Sequence, residues 1–155
     1  MTAQREPKPS ARERPLVSFL LLAYNHDRFI HEAIEGAFAQ DKLVRVSRGR
    51  IFGIAVDIRK GSPGFCKWIA IEISADAWNQ ILVPKGFAHG FLTVEPDTEV
   101  LYKVTSPYFA EHDRAIRFND PDIGINWPIN KADIQISGKD QNAPFLKDIE
   151  TGFVN

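Results

Sequence analysis

The rhythm of apolar and polar positions changes twice along this 155-residue chain. Residues 1–14 are polar, with Arg5, Lys8, Arg12 and Arg14 set against Glu6 and Glu13, and read as a disordered tail. Residues 16–24 are apolar almost throughout, which predicts a strand covered on both faces, as in a parallel sheet. Asn25-His26-Asp27 supplies helix N-cap chemistry. Beyond it Phe29, Ile30, Ala33, Ile34, Ala37 and Phe38 recur at helical spacing. Residues 15–40 therefore predict one βα unit, and no second such unit follows to complete a parallel sheet.

From Leu43 the texture becomes short runs punctuated by Gly and Pro turns, the spacing of an all-β domain. Residues 50–59 carry Ile51, Phe52, Ile54, Ala55, Val56 and Ile58 before a Lys60-Gly61-Ser62-Pro63-Gly64 turn. Residues 66–74 alternate strictly, with Cys66, Trp68, Ala70 and Glu72 on one face and Lys67, Ile69, Ile71 and Ile73 on the other. Further strands are predicted at 79–83, 88–94, 99–105 and 115–118. With the strand opening at Lys42 these make seven, enough for a sandwich or jelly-roll barrel. The tail beyond Asn119 reads as irregular chain packed over the barrel.

Composition narrows the function. Hydrophobic residues at 44% and charged residues at 25% are globular values, and a net charge of -1 gives no footprint for nucleic acid or a membrane surface. The single cysteine, Cys66, excludes an internal disulfide framework and suits a reducing cytoplasm, where it reads as a small strand hydrophobe. The apolar run at 16–24 is too short to span a bilayer and lacks a following cleavage site.

Lys85-Gly86-Phe87-Ala88-His89-Gly90-Phe91 is the richest stretch: two glycines beside a histidine suit a ligand close to the barrel wall, or a structural imidazole. Tyr102 and Tyr108 flank a strand end, as proton donors or as rings with a wet tip. Lys42 is a solvated strand-end lysine, or an inward cation that needs an anion. With His89 as the one convincing imidazole in the barrel, no metal site is expected.

These residues resemble a known family. Lys42-Leu43-Val44-Arg45, Ala55-Val56-Asp57-Ile58-Arg59-Lys60-Gly61-Ser62-Pro63 and Val83-Pro84-Lys85-Gly86-Phe87-Ala88-His89-Gly90-Phe91 are similar to the dTDP-4-dehydrorhamnose 3,5-epimerases. So are Leu101-Tyr102-Lys103, Asp120-Pro121, Ile125-Asn126-Trp127-Pro128 and Ile136-Ser137-Gly138-Lys139-Asp140, in order from about residue 39 to residue 146. The resemblance implies a mainly β fold, a cupin-type jelly roll, forming a homodimer without metal or cofactor. It implies epimerisation at C3 and C5 of a dTDP-4-keto-6-deoxy sugar nucleotide: a base removes the proton beside the ketone, an enolate forms at O4, and an acid reprotonates the opposite face. Lys42 matches the enolate-stabilising lysine, Tyr108 the proton donor and Asp140 the aspartate that orients the catalytic base. His89, Tyr102 and Arg59 are the implied substrate-binding residues.

The sequence departs from that family in three places. The base is carried about ten residues before the lysine, where this chain has Glu32 inside the helical pattern. The upstream diphosphate-binding arginines have no counterpart, and Gly53 stands where the family has an aspartate facing the pocket. Residues 15–40 instead resemble the opening βα unit of inverting nucleotide-sugar glycosyltransferases, without that family's metal motif or acceptor base, so glycosyl transfer is excluded. The expected organisation is a tail (1–14), a βα fragment (15–40) and an epimerase-like cupin domain (41–155) truncated at its N-terminal edge. Three functions follow: an epimerase homologue severely impaired or inactive for want of its base; an active epimerase recruiting His31 or Glu32; and a non-catalytic sugar-nucleotide-binding or oligomerising module.

Overall fold

A computed structural model describes residues 19–24, 29–30, 35–36, 40–105, 114–129 and 134–152, with the side chains of 19–36 and of residue 139 outside the description. The strands are β1 (Phe19–Tyr24), β2 (Phe29–Ile30), β3 (Glu35–Gly36), β4 (Lys42–Arg48), β5 (Arg50–Asp57) and β6 (Trp68–Ser74). They continue as β7 (Gln80–Val83), β8 (Phe87–Thr93), β9 (Glu99–Val104), β10 (Arg114–Ala115) and β11 (Gln135–Ile136), followed by the short helix α1 (Gly138–Gln141). One sheet has the order β1-β9-β4-β7 and the other β10-β3-β8-β5-β6; β11 pairs with β2 in a third, two-stranded sheet.

Period-two patterning decides what goes inside. Lys42, Val44 and Val46 on β4 are buried, whereas Leu43 and Arg45 between them are partly exposed. Val44, Val46, Ile51, Ile73, Phe91, Val100 and Tyr102 come from both larger sheets and form the core between them. The opposite face of the five-stranded sheet carries Ile54, Val56, Ile58 and Ala88, covered by Ile116, Ile123, Leu146 and Ile149 of the C-terminal tail. Arg117 N–H donates to the Pro144 carbonyl at 2.9 Å, and the Trp127 ring meets Phe52 edge-on at 6.2 Å. The tail therefore completes a second core, as its apolar residues require.

The β4–β5 connection turns on Gly49, whose φ of +78° lies in the left-handed region. A Cβ there would overlap Thr98 Oγ1 and stand 3.0 Å from Thr98 Cα, and Thr98 is itself buried. Gly49→Ala is expected to lower the unfolding free energy by about 2 kcal/mol, from backbone strain plus the clash. Gly124→Ala, at φ +64° with only Pro121 O within 4 Å, is expected to cost about 1 kcal/mol. Equal losses in urea melts would remove the role assigned to Thr98.

Six of the seven strands expected from Lys42 onward are present, as β4 to β9, and the seventh, expected at 115–118, is reduced to Arg114–Ala115. Three other expectations need correction. Residues 19–24 form a strand, but it runs antiparallel to β9, from Phe19 opposite Val104 to Tyr24 opposite Glu99. Phe29–Ile30 and Glu35–Gly36 lie in strands rather than the expected helix. Here tertiary pairing outweighs a local period: β9 offers a free row of backbone donors and acceptors, and β8 and β11 offer two more. Finally, Cys66 is not in a strand. It sits in a turn at φ +64°, its N–H donates to Asp57 O at 2.9 Å, and burial pushes its thiol pKa up.

Candidate functional site

Depth within the barrel is graded along β6. Ile69 is 63% exposed, Ile71 partly buried and Ile73 fully buried, all on the inward face. Through the ladder Ile69 is level with Ala55 and His89, Ile71 with Gly53 and Phe91, and Ile73 with Ile51 and Thr93. His89 therefore lies toward the end of the barrel where β6 is exposed, with the Asp57–Phe87 rung beyond it on the same face; that end is the mouth.

Three of the expected residues converge there. Lys42, at the start of β4, is buried by the same alternation that buries Val44. Tyr102 on β9 is buried, with its ring edge-on to His89 at 6.2 Å. His89 is 2% exposed and also meets Phe91 at 6.1 Å. Burial, and then the positive charge of Lys42, push the His89 pKa down to about 3, so its ring is neutral at pH 7. Its Nε2 has no hydrogen-bond partner among the described residues.

Asp140 is buried in α1. The Ser137 hydroxyl caps that helix, accepting from Asp140 N–H at 3.2 Å and donating to Asp140 Oδ2 at 2.6 Å. β11, just before α1, runs parallel to β2, with Ile136 opposite Ile30. β2 in turn lies beside β8. The chain that precedes Lys42 thus forms the contact between the strand of His89 and the segment of Asp140.

Arg59 stands at the rim with its charge already engaged. Its Nε and Nη2 donate to the two Asp57 oxygens at 2.9 and 2.8 Å, and its guanidinium lies 4.8 Å from the Phe87 ring centroid. Ser62 Oγ donates to Asp57 Oδ2 at 2.6 Å. The Arg59 hydrogen bonds, outweighing burial, hold the Asp57 carboxyl down to about 2. This Asp57–Arg59–Ser62 cluster was missed in the sequence, where the Asp-x-Arg spacing ahead of a Ser-Pro-Gly turn was its only signal.

Tyr108 lies outside the described residues, as do His31, Glu32 and His112. Among the described residues no group of three or more His, Cys, Asp or Glu is placed to hold a metal ion, and no helix is long and apolar enough to cross a membrane.

The family model for dTDP-4-dehydrorhamnose 3,5-epimerase matches residues 26–148. The chain belongs to that family. The match begins upstream of the motifs read from the sequence, and it takes in both β2 and β3. A dTDP-4-dehydrorhamnose 3,5-epimerase of Sinorhizobium fredii is 48% identical over 126 residues, which is 81% of this chain and 64% of that protein. The corresponding Pseudomonas aeruginosa enzyme is 39% identical over 131 residues, 81% of this chain and 72% of its own. The chain thus spans roughly two thirds of the length of these epimerases. A crystal structure of the dTDP-6-deoxy-D-glucose-3,5-epimerase of Legionella pneumophila, in complex with dTDP-4-keto-L-rhamnose, superposes with a TM-score of 0.80. It is 33% identical to this chain and covers 86% of it, against 71% of the Legionella chain. Membership fixes the fold as the mainly β, antiparallel barrel of these epimerases.

Proposed function

We propose that this chain holds a dTDP-4-keto-6-deoxyhexose in the mouth lined by Lys42, His89 and Tyr102, and that it epimerises that sugar weakly or not at all. Support for the ligand comes from the family and from the Legionella relative, whose bound molecule is a dTDP-4-keto sugar. A buried lysine beside a neutral imidazole is suited to an oxyanion: the ammonium stabilises the charge that develops at O4 when a neighbouring proton leaves. Tyr108 is the implied acid and Asp140 the implied positioning residue.

The observation that carries the weak-catalyst reading is that Asp140, the implied positioning residue, engages Ser137 at 2.6 Å, and the state of His89 agrees with it. A general base works best with a pKa near the operating pH. His89 is the one histidine among the described residues, and at about 3 it is a poor proton acceptor at neutrality. Asp140 engages Ser137 rather than any described imidazole.

A second reading has its own support. Ile30 is paired beside the Asp140 segment and Glu35 is paired opposite His89. The link between those two anchors contains His31 and Glu32. On this reading one of them is the base and the chain is a working epimerase.

Incubation with dTDP-4-keto-6-deoxyglucose in D2O separates the two. Deuterium entering C3 or C5 no faster than in an enzyme-free control fits the weak catalyst. Rapid exchange that disappears in His31→Ala or Glu32→Gln would establish the second reading and end the first.

A further inference from the structure

Gly53 is a glycine that its backbone does not require. It lies in the middle of β5 without a positive φ, paired on both sides with Ile71 and Phe91. A Cβ there would meet Ile73 Cδ1 at 3.4 Å, Ile71 O at 3.6 Å and His89 Nε2 at 3.9 Å, ordinary or nearly ordinary contacts. Neither conformation nor crowding excludes a side chain. Glycine inside a strand packs nothing and weakens the strand, and it commonly marks a place where another group approaches the backbone closely.

The third of those neighbours is the orphan. His89 Nε2 is buried, lacks a partner among the described residues, and faces the place a side chain at position 53 would fill. A buried polar atom left unsatisfied is costly, and a native structure that retains one invites a missing ligand group. The register sets the depth: Gly53 is one rung below His89 and so one rung inside the mouth.

We infer that Gly53 and His89 form a hydroxyl-binding subsite, in which the space left by the absent side chain receives a sugar hydroxyl that His89 Nε2 hydrogen-bonds. This inference rests on the reading of the mouth as a sugar-nucleotide site and adds to it the residue that sets which sugars fit. The neighbours select the group. Ile73 Cδ1 at 3.4 Å and the Ile71 carbonyl at 3.6 Å stand close on one side and His89 Nε2 at 3.9 Å on the other, which leaves room for a small group and favours one that can hydrogen-bond. A neutral imidazole nitrogen either donates or accepts, and a hydroxyl can answer in both cases. Gly53 thereby acts as a specificity-determining residue, admitting a hexose whose hydroxyl projects toward the β5 wall.

Calorimetric titration of the full chain with dTDP and with dTDP-quinovose, a 6-deoxyhexose nucleotide, tests the subsite. Wild type is expected to bind the sugar nucleotide about tenfold more tightly than dTDP, the worth of one good buried hydrogen bond. Gly53→Ala fills the space, and Gly53→Ser both fills it and satisfies Nε2. Each is expected to fold as wild type and bind dTDP unchanged, while losing the tenfold advantage of the sugar. The His89 ring nitrogen resonances are expected to move when wild type binds dTDP-quinovose and to stay still with dTDP. A sugar advantage that survives in both variants, or that wild type never shows, overturns the subsite while leaving the nucleotide site standing. Failure of wild type to bind either compound overturns the sugar-nucleotide reading, and the subsite with it.

Discussion

Acidification from about pH 6.5 to about pH 4 is expected to cost the native chain up to about 1.4 kcal/mol per pH unit more than it costs a His89→Gln variant. In the unfolded chain His89 takes up a proton near its ordinary value of 6.5, whereas in the fold it does so only near 3. Between those values the unfolded state binds more protons, so stability rises with pH across the window and is lost as pH falls through it. Above about pH 6.5 the ring is neutral in both states and contributes no slope. Burial is the larger cause and Lys42 the second; among the described side chains Tyr102 also packs on the ring, in a T-shaped contact at 6.2 Å. Urea melts of both proteins at pH 7, 6, 5 and 4 measure the difference. Parallel stability curves would mean that His89 is solvated or paired in solution, and the neutral imidazole assigned to the mouth would be lost.

Asp120→Ala is expected to destabilise the chain by about 3 kcal/mol, and Asp120→Asn by about half as much. Asp120 is 1% exposed and accepts two backbone hydrogen bonds, from Leu146 N–H at 2.7 Å and from Asp122 N–H at 2.8 Å. Alanine removes both acceptors and leaves the buried Leu146 N–H without a partner, whereas asparagine keeps one side-chain oxygen. The consequence extends beyond a turn. Leu146 anchors the tail against Ile54, Val56 and Ile58, and the same tail carries α1, tied to Arg117 through the Gln141 carbonyl at 2.8 Å. Loosening Leu146 therefore loosens the segment that positions Asp140. Hydrogen exchange at the Leu146 amide reports this directly: protection retained in Asp120→Ala would show that the carboxylate does not hold the tail.

The two glycine series separate conformation from room. Gly49 is demanded by a left-handed turn pressed against Thr98, so its loss is a matter of stability. Gly53 is demanded by neither, so its replacement is expected to register in ligand selection and leave folding intact.

The alternation along the barrel strands was legible because its cause is local. Ile69, Ile71 and Ile73 alternate with Ala70 and Glu72, and a strand with a period of two can bury only one such set. The turn at Gly61-Ser62-Pro63-Gly64 and the pairing of β5 with β6 follow from the same pattern. Lys42, His89 and Tyr102 could be chosen from the sequence because the motifs around them resemble a family, and the alternation that buries them is visible along each strand. The segment before Gln40 was misread for a matching reason. Apolar residues at 29, 30, 33, 34, 37 and 38 fit a helix when considered alone, and an apolar run such as 19–24 does not say whether its neighbour runs parallel or antiparallel.

The sequence by itself determined six strands, the alternation along them and the turns between them, because side-chain alternation and glycine conformation are properties of a residue and its immediate neighbours. Only the tertiary structure decided that Phe19–Tyr24 closes on β9, that Arg59 is bound to Asp57, and that His89 is neutral with Nε2 facing the gap at Gly53. Each of these depends on which distant backbone or charge comes near and on how much water is shut out. Those quantities exist only once the sheets have closed over one another.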